Sequence, residues 1–131
     1  MISKDEILAQ FRQVGVVRGN TLFLYVKESL KLIDACERNN LAPVRIEGYI
    51  VHSDVTEVRP LIFDYVPDPG TPWTVVQPFS TRSARKWVLE NADVDHAAFY
   101  ILVWTEEQYQ KADDRMQQKE RSKKRPNDHS A

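Results

Sequence analysis

The stretch Ala97-Ala98-Phe99-Tyr100-Ile101-Leu102-Val103-Trp104 limits the fold most, because it is apolar at both alternating sets of positions. In an extended chain Ala97, Phe99, Ile101 and Val103 fall on one side, and Ala98, Tyr100, Leu102 and Trp104 on the other. A strand with no polar side belongs inside a sheet, covered on both faces. It is far too short to span a membrane. With 131 residues there is room for one ordinary domain. The expectation is an α+β domain: a mixed or antiparallel sheet of about four strands, helices packed on it, and this last strand central.

The rest of the chain supplies the partners that such a strand needs. Ser3-Lys4-Asp5-Glu6 has the spacing of a capping box, in which the Ser3 hydroxyl accepts from the Glu6 amide and the Glu6 side chain reaches back to the Ser3 amide. A helix follows, burying Ile7, Leu8, Phe11 and Val14 and stopping at Gly15. Thr21 to Val26 reads as a short strand after the turn-like Arg18-Gly19-Asn20, although Leu22, Val26, Leu30 and Ile33 also suit one long helix. Lys27 to Asn39 is a second helix, with Leu30, Ile33 and Cys36 or Glu37 on one stripe and Asn39-Asn40 as its end.

Val44 to Val51 alternates as a strand with one buried face, and Gly48 marks a bulge or a close neighbour. Val55 to Val66 returns as a less regular strand that Pro60 assigns to a sheet edge. Three prolines and a glycine in residues 67–72 exclude both helix and ladder pairing. Phe79-Ser80-Thr81 opens a third helix with Ser80 as N-cap and Ala84, Trp87, Val88 and Asn91 along one stripe. Beyond Trp104 only Tyr109 and Met116 are large and apolar, so the domain proper is assigned to residues 1–104 and residues 105–131 to a polar extension. Glu106 to Arg121 reads as a solvated helix with pairs such as Glu107 and Lys111, and Arg121 to Ala131 as disordered.

Candidate chemical groups are few. The single cysteine, Cys36, excludes an internal disulfide and lies by an apolar stripe, as a small buried hydrophobe would. His52, His96 and His129 show no ligand spacing, and His52-Ser53-Asp54 are adjacent turn residues rather than an assembled triad. None of the four glycines sits in a phosphate-binding fingerprint. No catalytic residue, metal or cofactor is therefore assigned. The charged N-terminal residues without a long apolar run do not read as a signal peptide, and the lone cysteine suits a reducing compartment, so the expected location is cytoplasmic.

The formal charge of -1 argues against a general nucleic-acid binder, but it conceals a local asymmetry. Between Glu47 and Asp68 stand five acids, Glu47, Asp54, Glu57, Asp64 and Asp68, against Arg59 alone, a segment charge of -4. Tyr49, Phe63 and Tyr65 are interleaved with them, and the proline loop and Trp73 follow. Aromatics among acids on a stiff segment make a docking face for a basic protein, with Glu47, Tyr49, Asp54, Glu57, Asp64, Tyr65, Asp68 and Trp73 as its candidate residues. The plainer alternative is a solvated strand face whose aromatics are core.

The order of elements is carried by Tyr25-Val26-Lys27-Glu28-Ser29-Leu30, Val44-Arg45-Ile46-Glu47-Gly48-Tyr49, Val58-Arg59-Pro60 and Phe99-Tyr100-Ile101-Leu102-Val103. Over residues 14–104 it resembles small immunity proteins of bacterial polymorphic-toxin and contact-dependent inhibition systems. Here Glu47 precedes Gly48, whereas in the group the acid follows the glycine. The resemblance implies a non-enzymatic inhibitor that binds one cognate toxin protein, of which nucleases with basic clefts are a common kind. A second reading is a nucleic-acid or regulatory adaptor using the basic run Lys119 to Arg125. A third is a small enzyme with a site near His52, Asp54 and His96.

Overall fold

The computed structural model describes residues 1–124. Its elements in chain order are α1 (Lys4–Arg12), β1 (Val16–Arg18), β2 (Thr21–Tyr25), α2 (Val26–Arg38), β3 (Ala42–Val51), β4 (Thr56–Asp64), α3 (Trp73–Glu90), β5 (Ala97–Trp104) and α4 (Glu106–Lys124). The strands form one antiparallel sheet in the order β1-β2-β5-β3-β4. The doubly apolar β5 is its middle strand, as its lack of a polar face requires. The sheet has five strands rather than about four. The addition is β1, three residues that pair with β2 across a turn where Gly19 takes a positive φ of 63°.

One face of β5 packs under α2 and α3. Phe99, Ile101 and Val103 join Ile46, Leu32, Ile33, Cys36, Ala84 and Val88 in the main core, and Trp87 lies edge-on to Phe99 with ring centroids 5.7 Å apart. The other face is covered only at its ends. At one end Ala98 packs with Phe23 and Val51, and at the other Leu102 and Trp104 lie against a cluster that includes Val44, Trp73 and Tyr109.

Helix ends explain where elements begin and stop. Ser3 caps α1 by accepting from the Glu6 amide, while the Glu6 carboxylate accepts a hydrogen bond from the Ser3 hydroxyl instead of reaching the Ser3 amide. Val14 lies past the end of α1 and is 56% exposed, so it does not share the buried face with Ile7. After α2, Asn40 takes a left-handed φ of 56° and the Leu41 amide returns to the Cys36 carbonyl, a C-terminal lock that usually uses glycine. Here the asparagine side chain has a second task, accepting from the Trp73 indole at 2.8 Å.

α3 begins six residues earlier than Phe79, so Ser80 is not its N-cap. Pro72 is the cap residue, and Pro78 stands inside the helix, where it forgoes one main-chain hydrogen bond. Burial of Trp73 and Val76 on the first turns offsets that loss. Ser80 and Thr81 are buried, and their hydroxyls donate back to the Gln77 carbonyl.

The packed unit also continues past Trp104. Thr105 and Gln108 form a reciprocal cap at the start of α4, Lys4 of α1 donates to the Gln108 side chain, and Tyr109 is buried. α4 runs to Lys124, so residues 121–124 of the segment expected to be disordered belong to the helix; residues 125–131 lie outside the described residues. Phe99→Ala removes a fully buried ring from the middle strand, and denaturant unfolding is expected to show a loss of about 3–5 kcal/mol.

Candidate functional site

The pairing of β3 with β4 and β5 sets which candidate residues share a face. Arg45 stands opposite Asp64 and Leu102, Glu47 opposite Ile62 and Tyr100, and Tyr49 opposite Val58 and Ala98. All of them lie on the side of the sheet turned away from α2 and α3. At Gly48 the register with β4 shifts, and a Cβ there would meet Leu61 at 3.3 Å. The expected bulge is thus present, and it lets Pro60 sit in an edge strand without interrupting the ladder on the other side of β3.

On this face Arg45 is the organising charge. Its Nε donates to Glu47 at 3.1 Å and its Nη1 to Asp64 at 3.4 Å, while the Tyr49 hydroxyl donates to the other Glu47 oxygen at 2.9 Å. Burial, and then the bond to the Glu47 carboxylate, push the Tyr49 phenol above its ordinary pKa. Its ring meets Phe23 edge-on at 4.8 Å. Counting acids between Glu47 and Asp68 overlooks Arg45, two residues before that window, which pairs with two of the five. Arg59, the base inside the window, points elsewhere: it donates to the Asn91 carbonyl and pairs with Asp93 at the end of α3.

The remaining candidates do not join that row. Asp54 is exposed in the β3–β4 turn, and Glu57, opposite Ile50, approaches His52 at 3.4 Å. That turn is clasped by Arg18 of β1, which donates to the Thr56 hydroxyl and to the His52 and Ser53 carbonyls. At the other end Tyr65 lies against Phe79 with centroids 5.1 Å apart, and its phenol is raised by burial and by Asp68. Asp68 is exposed, its carbonyl accepting from Thr71.

Trp73 is corrected from docking aromatic to core anchor: it is 7% exposed and packs on Tyr109 at 5.7 Å. The sequence reading missed Val58 and Ile62, which stand 77% and 55% exposed beside Tyr49 and Glu47. The edge position signalled by Pro60 was the available clue, since an edge strand on a half-covered face exposes whatever it carries.

Two further groupings bear on chemistry. His52 and His96, far apart in sequence, come together with ring centroids 5.3 Å apart, His96 at a left-handed φ of 62°. Among the described residues no cluster of three or more His, Cys, Asp or Glu side chains is placed to hold a metal ion. Cys36 is fully buried, and burial pushes its thiol up to about 12, which suits the packing role expected of it. No helix of the described residues is long and apolar enough to cross a membrane. Neither family models nor curated proteins nor solved structures give a match to the chain.

The proline loop is held from α4. The Tyr109 hydroxyl donates to the Thr71 carbonyl, and the buried Asp113 carboxylate accepts from the Gly70 amide at 2.9 Å. Burial, and then Asp113, push the Tyr109 phenol up to about 12. A phenol held protonated in the fold stabilises it fully below the unfolded value near 10, and loses that contribution as pH rises from there through about 12. Stability measured by urea unfolding is therefore expected to fall over that window, and Tyr109→Phe to lessen the fall. Trp73→Ala is expected to cost about 3–5 kcal/mol in the same measurement. Asp68→Ala is expected to stay within about 0.5 kcal/mol.

Proposed function

We propose that the chain is a protein-binding module, an immunity protein that neutralises a cognate bacterial toxin by docking it on the outer face of β5, β3 and β4. The observation that carries this reading is the pair Val58 and Ile62, exposed on an edge strand with Tyr49 opposite Val58 and Tyr100 one strand further in. Apolar side chains on an unprotected edge are a liability that a chain retains where they meet a partner. Half-buried tyrosines next to them supply rigid contact area of the kind that dominates interface energetics.

The charges around that pair favour a basic partner. Glu47 and Asp64 share one arginine, and Asp54 and Glu57 extend the acidic character to the hairpin tip. A toxin with a basic cleft, a nuclease among them, would be drawn to this surface by charge and held by the apolar pair. Inhibition is then steric: the hairpin occupies the cleft in place of substrate, with no covalent step and no cofactor. The resemblance of the element order to toxin-immunity proteins supports the same reading, with the cytoplasm as the proposed place of action.

Cells expressing the toxin encoded beside this gene are expected to survive when the chain is co-expressed. Val58→Arg with Ile62→Arg is expected to abolish protection and weaken binding at least about tenfold. The fold should change by no more than about 1 kcal/mol, because both side chains are already in solvent. Full protection by the double variant, or no protection by the natural chain, sinks the proposal.

A further inference from the structure

A concave feature lies where α4 approaches the ends of β3, β4 and β5. Its floor is Val44, Leu102, Trp104, Tyr109 and Met116, and it encloses about 330 Å³. That volume is at the small end of the range in which small-molecule sites fall, roughly 300–1,000 Å³. The lining is mainly apolar, and its polar members are Arg45, Asp64, Asp113, Arg115 and Lys119.

The two carboxylates are already engaged. Asp113 is buried and accepts from the Gly70 amide and the Gln117 side chain, and Asp64 is paired with Arg45. Arg115 and Lys119, one helical turn apart on α4, make no ion pair within the described residues. An apolar hollow with two uncommitted cations at its rim is complementary to a molecule with an aliphatic body and one anionic head.

We propose that this cavity binds a small aliphatic carboxylate. The chain of the ligand lies on Leu102, Trp104 and Met116, and its carboxylate reaches Arg115 and Lys119. Arginine presents a planar fork suited to a carboxylate, and methionine adapts to the length of an alkyl chain. The cavity shares Arg45, Asp64 and Tyr65 with the acidic face, but the apolar pair Val58 and Ile62 that carries the docking proposal is not among its lining residues.

The test is calorimetric titration of the full chain with decanoate below its micelle threshold, compared with decanol and decyltrimethylammonium. Saturable one-to-one binding of decanoate is expected, with the other two at least about fivefold weaker. Arg115→Glu with Lys119→Glu, both exposed positions, is expected to weaken decanoate about fivefold or more while leaving the melting temperature within a few degrees. Ala112→Phe, which fills the hollow, is expected to abolish binding. The proposal is overturned if decanoate gives no saturable heat, if the alkylammonium binds equally well, or if the charge-reversed variant binds as the natural chain does.

Discussion

The structure depends on hiding both sides of β5. One side is met in full by α2 and α3, whose buried residues close over Phe99, Ile101 and Val103. The other side, among the described residues, is met by two partial covers. At one end the β1–β2 hairpin brings Phe23 to Ala98 and Val51, fastened by Arg18 to the β3–β4 turn and by the Tyr25 hydroxyl to the Val51 carbonyl. At the other end α4 brings Tyr109 to Val44 and Trp73. Between the covers remains a window of Tyr100, Glu47, Tyr49 and Ile62, the surface assigned to partner docking. Val58 and Ile62 on β4 are exposed because, among the described residues, neither cover reaches them.

Charge on that window is governed by pairing rather than by position along the chain. The segment from Glu47 to Asp68 carries -4, yet its own base, Arg59, is turned toward α3, and Arg45 from outside the segment sits between Glu47 and Asp64. Of the five acids two are shared with Arg45 and Glu57 lies near His52, which leaves Asp54 and Asp68 at opposite ends. Nine residues of strand separate these ends by roughly 30 Å, several Debye lengths at physiological salt. In the proposed complex the acids act as separate local contacts, with the apolar pair between them.

What was legible in the sequence follows from how local the determining physics is. The centrality of β5, the edge position of β4, the bulge at Gly48 and the end of α2 at Asn39-Asn40 each rest on a residue type that states its requirement directly. The start of α3 was not legible, because Pro78 reads as a helix breaker and only the burial of Trp73 and Val76 makes the preceding turns worthwhile. β1 has three residues, too few for alternation to register. The shared face of Glu47, Tyr49 and Asp64 was legible because they alternate on one hairpin. Trp73 was misassigned because its partners, Asn40 and Tyr109, lie 33 and 36 residues away in opposite directions. Contacts of that separation leave no trace in a local pattern.

The polar appearance of α4 conceals how fully its few apolar groups are used. Tyr109 is buried in the second cluster, Asp113 holds the proline loop by the Gly70 amide, and Met116 lines the cavity. These residues recur at intervals of three and four, so one narrow stripe of the helix does all the packing while the rest meets water. A stripe this narrow anchors the first half of the helix and leaves the second half free to carry charge, which sets Arg115 and Lys119 at the mouth of the hollow that Tyr109 and Met116 help to form. The cavity and the fixing of the proline loop therefore share one cause, and Arg45 and Asp64 join the rim of the cavity to the neighbouring window.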